Sequence, residues 1–323
     1  MNRLRRITRQ PERVVKHALP YSYRKLLGYS LAVNSRIGIG TNVLKKNWDV
    51  LVILDTCRVD ALKTHAPCYL DVSPDSIKSY LSVGSQTAEW LSNTFTTDRP
   101  NLNQIAYASG NAWASQVLVE GKGPESDQYF DNVKPPNIEW SVASARDLGR
   151  FIPLWGNEEE TTLAAGSHSV PAKITDATIK LHRDEKFNRV IAHYIQPHPP
   201  YESKSREEGR DLTDFEYTPM DYLRNGGNKN KPWKAYISDL KWVLKDVKEL
   251  TENIDGKVAI TSDHGEAFGE YKFYGHAPGM LHPQVRRVPW LEIECSDHET
   301  RYGEIREQQS ADVGHQLEAL GYR

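Results

Sequence analysis

"DVLVILDTCRVDAL", residues 49–62, is a run of five branched aliphatic residues, Val50 to Leu54, framed by Asp49 and Asp55 and followed at once by Cys57, Arg58 and Asp60. A short, continuously apolar run bounded by polar residues reads as a strand buried on both faces. Four further runs read the same way: 104–109 (QIAYAS), 189–195 (RVIAHYI), 257–262 (KVAITS) and 288–294 (VPWLEIE). Unbroken rather than alternating hydrophobicity predicts a mostly parallel central sheet with helices on both faces. Helical patterns separate the runs. TDATIKLHRDEK precedes the third, and AYISDLKWVLKDVKELTENI, with Tyr236, Leu240, Val243, Leu244, Val247 and Leu250 on one side, precedes the fourth. QQSADVGHQLEALGY predicts a last helix ended by Gly321. The predicted architecture is α/β. Residues 120–173 read as loops with short elements, and 202–232 as a polar insertion.

The 323 residues carry 41 Lys and Arg against 43 Asp and Glu, but unevenly. Residues 1–46 hold eleven Lys or Arg and one acid, Glu12, so 30 bases and 42 acids remain in 47–323. This divides the chain into a basic N-terminal arm, 1–46, and an acidic body, 47–323, expected to be a single domain. Such an arm suits a peripheral contact with an anionic membrane surface. Pro20 interrupts the amphipathic segment VVKHALPYSYRKLLGYSLAV, which argues against one continuous helix. No interleaved basic and aromatic reader pattern follows, so nucleic acid is not an expected partner. Without an apolar run of about 18 residues or a signal-type leader, the expected location is cytoplasmic, at most peripheral at the inner membrane face. Cys57, Cys68 and Cys295 show neither metal-cluster spacing nor a disulfide framework.

Ligands of open α/β sheets bind beyond the carboxyl ends of the strands. Asp55 closes the first predicted strand, and Asp263 and His264 follow the fourth, in AITSDHGEAFGE. Two carboxylates and an imidazole make a ligand set for one divalent cation, Mn²⁺, Zn²⁺ or Mg²⁺. For Asp55 alone, helix capping is the competing reading. Gly265 would let the backbone turn away from the site.

The ordered set DVLVILDTCRVDAL, SVGSQTAEWLSNTF, HYIQPHPPY, AITSDHGEAFGE, GHAPGMLHPQVRRVPW and ADVGHQLEALGY resembles the sulfatase-like branch of the alkaline phosphatase superfamily, from about residue 48 to 322. The resemblance implies an alkaline phosphatase-like fold, with Asp55, Asp263 and His264 as metal ligands. It also implies a nucleophile at the start of a helix some thirty residues after Asp55, itself ligating the metal. Here that segment is GSQTAEW, similar to that of phosphoglycerol and phosphoethanolamine transferases, in which a threonine follows a glycine. Aligned on Gly84, the matching residue is Ser85, expected as nucleophile and metal ligand. Thr87 is the competing hydroxyl and a substrate-binding candidate.

The resemblance further points to His198 and His276 as catalytic, and to Arg58 and His282 as substrate-binding. Arg58 has a structural alternative, an ion pair with Asp60. A histidine near a leaving alkoxide can protonate it. No D-x-x-x-H pair occurs, which favours one metal, though His198, His276 and His282 could assemble a second site. None of the three cysteines, nor Ser85, lies in a formylglycine pattern of C-x-P-x-R type. Cys57 is expected to pack into the fold rather than to attack substrate. The expected activity is therefore metal-dependent hydrolysis or transfer of a phosphate ester by a serine nucleophile, on a small-molecule, lipid-linked or glycan substrate. The rivals are a sulfatase acting on a sulfated substrate, and a non-catalytic anion-binding relative. Asp312 is read as a helix cap.

Overall fold

The computed structural model describes residues 21–131, 133, 135–155, 170–184 and 186–305. The predicted helix over 308–322 and Asp312 lie outside the described residues. A seven-stranded sheet runs in the order β2 (Lys78–Leu81), β9 (Arg287–Cys295), β6 (Gly256–Thr261), β1 (Val50–Leu54), β5 (Arg189–Tyr194), β3 (Ile105–Ser109), β4 (Arg150–Pro153). All five predicted runs are strands within a residue or two. β1, β3, β4, β5 and β6 are parallel; β9 pairs antiparallel with both β6 and β2. The sheet is thus mixed, mostly parallel, with an antiparallel strand between β6 and the edge strand.

Alternation along β1 explains its unbroken apolar run. Val50, Val52 and Leu54 face a core shared with the Pro171–Arg183 and Asn230–Thr251 helices through Ile174, Leu181, Tyr236, Leu240 and Leu244. Leu51 and Ile53 face the opposite core with Trp90, Leu91, Trp113 and Val117 of the Thr87–Thr94 and Trp113–Leu118 helices. Every β1 side chain leaves water, worth roughly 1.5–3 kcal/mol each, so neither face tolerates a polar residue between 50 and 54.

β2 and β4 were not legible: KSYL is largely exposed and RFIP only partly buried, so neither has an apolar signature. The 202–232 insertion folds into three short helices, Ser203–Glu208, Asp214–Tyr217 and Pro219–Arg224, and runs into the long helix. Their boundary signals are local: Gly209 in a left-handed turn ends the first, Thr213 with Glu216 as a capping box starts the second, and Pro219 starts the third. At the N-terminal end of the described residues a helix spans Tyr21–Ile37. Leu27 and Leu31 bury it against Met280 and Val285.

Candidate active site

The carboxyl ends of β1, β3, β5 and β6 open on one edge of the sheet, and the polar side chains there converge. Parallel register sets Ile53 beside both His193 and Thr261, so the residues just beyond these strands meet. Asp55 follows β1, Asn111 follows β3, His193 sits in β5, and Asp263 and His264 follow β6; all five are fully buried. Thr87, also buried, is the first residue of the Thr87–Thr94 helix, whose N-cap is Gln86, its side chain accepting from Ala88 N–H at 3.0 Å. Gly84 lets this helix come close, because a Cβ there would meet Trp90 N at 2.4 Å. Gly265 serves in the same way: its φ is ordinary, but a Cβ would lie 2.1 Å from the Gln284 carbonyl oxygen.

The Thr87 hydroxyl donates to Asp263 Oδ2 at 2.8 Å and lies 3.5 Å from Asp55 Oδ2 and 3.4 Å from His264 Nε2. Asn111 Nδ2 donates to Asp55 Oδ2 at 2.6 Å and to Thr87 Oγ1 at 3.2 Å. His264 Nε2 stands 3.6 Å from Asp55 Oδ1 and 3.3 Å from Asp263 Oδ2, and His193 Nε2 4.0 Å from Asp263 Oδ2. Asp55, His193 and Asp263 each offer a ligand atom within 4.8 Å of the others, a set that can hold one metal ion. Asp55 Oδ1 and His193 Nε2, on two residues of that set, are buried without a hydrogen-bond partner among the described residues. A buried acceptor left unpaired costs about 1–3 kcal/mol. Two such atoms on residues of this set, beside the Asp263 carboxylate, fit a divalent cation.

The electrostatics agree. Burial, and then the Asp263 carboxylate, push Asp55 well above the ordinary carboxyl range, against the hydrogen bonds from Asn111 and Thr87. Burial acts on Asp263 too, but His264 and His193 outweigh it and hold Asp263 below its ordinary value. Burial brings His193 down to about 4 and lowers His264, which favours the neutral, metal-binding form of each imidazole.

A second histidine layer lies beside the first. The β7 (Ala267–Phe268) and β8 (Tyr274–Gly275) ribbon pairs Ala267 with Gly275, which carries His276 back to Glu266. His276 Nδ1 is 3.0 Å from Glu266 Oε2, and its ring centre is 4.5 Å from that of His264 and 5.1 Å from that of His198. Burial opposes charge on His276, yet Glu266 outweighs it and raises the imidazole above its usual value. His276 keeps 11% of its side chain exposed, whereas Glu266 and the residues around Thr87 are fully buried.

The sequence-predicted residues divide. Asp55, Asp263, His264, Thr87, His198 and His276 come together. Ser85 does not join the carboxylates: its Oγ lies 2.7 Å from Glu89 Oε2 and 2.9 Å from the Ala277 carbonyl, and accepts from Met280 N–H at 3.0 Å. Counting from Gly84 stops two residues short of the first helical turn, where Thr87 stands. The position of Thr87 immediately before the periodic run AEWL was the available signal.

Arg58 is not open to substrate. Its guanidinium, 5% exposed, donates to Asp60, Glu270 and the Glu266 carbonyl and stacks over Trp233, realising the structural alternative. His282 caps the Pro283–Arg286 helix through Nδ1 and packs against Phe273, away from the carboxylates. Cys57 is fully buried, and burial followed by Asp60 raises its thiol far beyond the nucleophilic range.

Two site residues were missed. His193 is the one histidine inside an apolar strand run, and that misfit was its signal. Asn111 had none beyond following β3.

The sequence matches no protein-family model and no curated protein. Among solved structures it is similar to the soluble domain of lipooligosaccharide phosphoethanolamine transferase A from Neisseria meningitidis, at 15% identity over 75% of each chain with a TM-score of 0.45. It is similar to the C-terminal periplasmic domain of the phosphoethanolamine transferase EcEptC from Escherichia coli, in complex with Zn, at 14% identity over 80% of this chain and 76% of that one, TM-score 0.44. The 2-O GAG sulfatase BT1596 aligns at 13% identity over 86% of this chain and 71% of its own, TM-score 0.45. The three solved structures are thus two phosphoethanolamine transferase domains and a sulfatase. The expected cytoplasmic location, including the inner membrane face, is corrected here, because a structure it resembles is a periplasmic domain. No helix among the described residues is long and apolar enough to cross a membrane.

Proposed function

We propose that the chain is a metal-dependent phosphate-ester hydrolase or phospho-group transferase whose nucleophile is Thr87. The observation that carries this reading is the Thr87 hydroxyl at a helix N-terminus, 2.8 Å from Asp263 and 3.5 Å from Asp55, two residues that form a possible metal-binding set with His193. Asp55 and Asp263, with His193 and His264, would hold the metal. Two carboxylates with imidazole nitrogen favour Zn²⁺ or Mn²⁺ over Mg²⁺. When bound, the cation supplies Lewis-acid charge that lowers the hydroxyl pKa and offsets phosphoryl charge.

The chain's own groups do the rest. Asp263 accepts the hydrogen bond that orients the Thr87 hydroxyl, whose proton leaves to water, Asn111 holds Asp55 and the hydroxyl in place, and the helix N-terminus favours the anionic ester by its dipole. Thr87 Oγ1 forms the new bond to phosphorus while the bond to the leaving oxygen breaks. His276, steadied by Glu266 and the most exposed ionisable group of the cluster, delivers the proton to that oxygen. Water or an acceptor hydroxyl then takes the phosphoryl group from phosphothreonine, splitting one hard displacement into two steps.

Phosphate is favoured over sulfate because no cysteine stands where the hydroxyl does and no formylglycine pattern occurs. Small-molecule, lipid-linked and glycan esters all remain within this substrate class. The test is to incubate metal-loaded protein with aryl phosphate monoester, aryl phosphodiester and aryl sulfate, quench, and map the modified peptide. A phosphorylated Thr87 supports the reading; turnover of the sulfate alone, or labelling at another residue, sinks it.

A further inference from the structure

We propose that the outward side of the Tyr21–Ile37 helix, with the apolar cavity beside it, is a docking face for an anionic lipid bilayer. The helix buries Leu27, Leu31 and Asn34 against the body. Its opposite side carries Leu26, Tyr29, Val33 and Ile37, spaced by three, four and four residues and so aligned in one stripe. These side chains are 61%, 60%, 49% and 66% exposed. A helix that only covered its own domain would turn polar residues outward there. Next to the stripe is a cavity of about 310 Å³, walled by Leu26, Leu27, Phe273, Met280 and Leu281, and Leu281, 66% exposed, extends the apolar surface across it.

Charge selects the occupant. Lys25 is exposed on this helix, as is Arg36, which also pairs with Glu139 at 3.4 Å, and the sequence leading into it holds Arg3, Arg5, Arg6, Arg9, Arg13 and Lys16 against Glu12 alone. An apolar stripe with tyrosine, flanked by cations and preceded by a basic segment, suits the interfacial layer of an anionic membrane. Residues 47–323, with 30 bases against 42 acids, are repelled by the same surface, which leaves this face as the side that meets it. A two-fold pairing of copies through the stripe would instead crowd the Lys25 and Arg36 cations of both copies along one seam. The face is also mechanically close to the candidate active site. Asn34 donates to Glu89 of the Thr87–Thr94 helix at 2.6 Å, and residues 276–282 link His276 to the cavity wall. The inference stands on this surface and does not depend on the phosphate-ester reading.

The test uses the full chain in co-sedimentation with phosphatidylcholine vesicles, with and without phosphatidylglycerol. The wild type is expected to bind only the anionic vesicles, more weakly at high salt. The Val33→Glu/Ile37→Glu double variant is expected to partition at least about tenfold less while melting like the wild type. Leu281→Glu, on another segment of the same face, should show the same direction of change and keeps the test decisive if the helix variant fails to fold. Three results would overturn the proposal: no binding of the wild type to anionic vesicles, undiminished binding of well-folded variants, or a wild-type dimer that the variants dissociate without any lipid binding.

Discussion

Replacing Thr87 and Ser85 separately by alanine distinguishes two hydroxyls two residues apart that the structure places in different environments. Thr87→Ala removes the oxygen 2.8 Å from Asp263, and with it the only atom offered to phosphorus in this reading. A fall in kcat of at least about 10³-fold is expected, equivalent to roughly 4 kcal/mol of barrier. Asp55, Asp263, His193 and His264 are untouched, so bound metal per chain should match the wild type. Ser85→Ala removes a hydroxyl that contacts Glu89 Oε2, the Ala277 carbonyl and Met280 N–H inside the protein. Glu89 Oε2 keeps the Ser85 and Gly279 N–H groups, and Met280 N–H keeps the Ala277 carbonyl at 3.1 Å, so each of them retains a partner. Losing the Ser85 hydroxyl bonds costs about 1 kcal/mol of stability. The melting temperature should fall by a few degrees, while kcat of the folded protein stays within about tenfold of wild type. Thr87→Ser retains the hydroxyl and should keep most of the rate. The assay is initial-rate hydrolysis of an aryl phosphate with Zn²⁺ or Mn²⁺ supplied, alongside elemental analysis and thermal melts. Loss of activity in Ser85→Ala with wild-type rates in Thr87→Ala would refute the reasoning outright.

His193→Ala should weaken metal binding by at least about tenfold, read by competition with a chelator. Chelation should also lower the wild-type melting temperature, since a ligand of the native state at 100 times its Kd adds roughly 2.7 kcal/mol. Asp239 is buried, accepts from the Glu202 and Ser203 N–H groups, and is pushed by burial to about 7. Its folded pKa lies above the unfolded value of 3.8, so the native state holds the proton more tightly and stability falls as pH rises from about 4 to 7. The difference in unfolding free energy between wild type and Asp239→Asn should therefore shift by up to about 4 kcal/mol across that window, in the direction of a relatively weaker wild type at neutral pH. Denaturant titrations of both proteins at several pH values check the sign. Iodoacetamide under native conditions should label exposed Cys68 and spare buried Cys57; labelling of Cys57 in the folded protein would contradict its environment.

Much of the fold was legible because a buried parallel strand announces itself locally. Val50 to Leu54 can satisfy both faces only inside a layered sheet, and the same holds for the runs at 105–109 and 189–194. Asp55 and Asp263 were legible as partners for the same reason: each ends such a run, and parallel strands open their carboxyl ends on one edge. The edge strands β2 and β4, half in water, carry no comparable pattern.

The tertiary structure decided what depends on phase and register rather than on composition. Whether Ser85 or Thr87 faces Asp263 is a matter of where the helix begins, and Gln86 as N-cap sets that start one residue before Thr87. His193 joins the cluster only because β5 lies beside β1 in a register that brings it level with Ile53. Arg58 was claimed by Asp60 and Glu270, the second of which is 212 residues away in sequence. The amino-acid sequence by itself determined which segments leave water and which acids close them, since hydrophobic burial acts through local pattern. Which hydroxyl, which imidazole and which arginine share a space of a few ångströms was decided by packing across the sheet, because those contacts join residues that no local pattern relates.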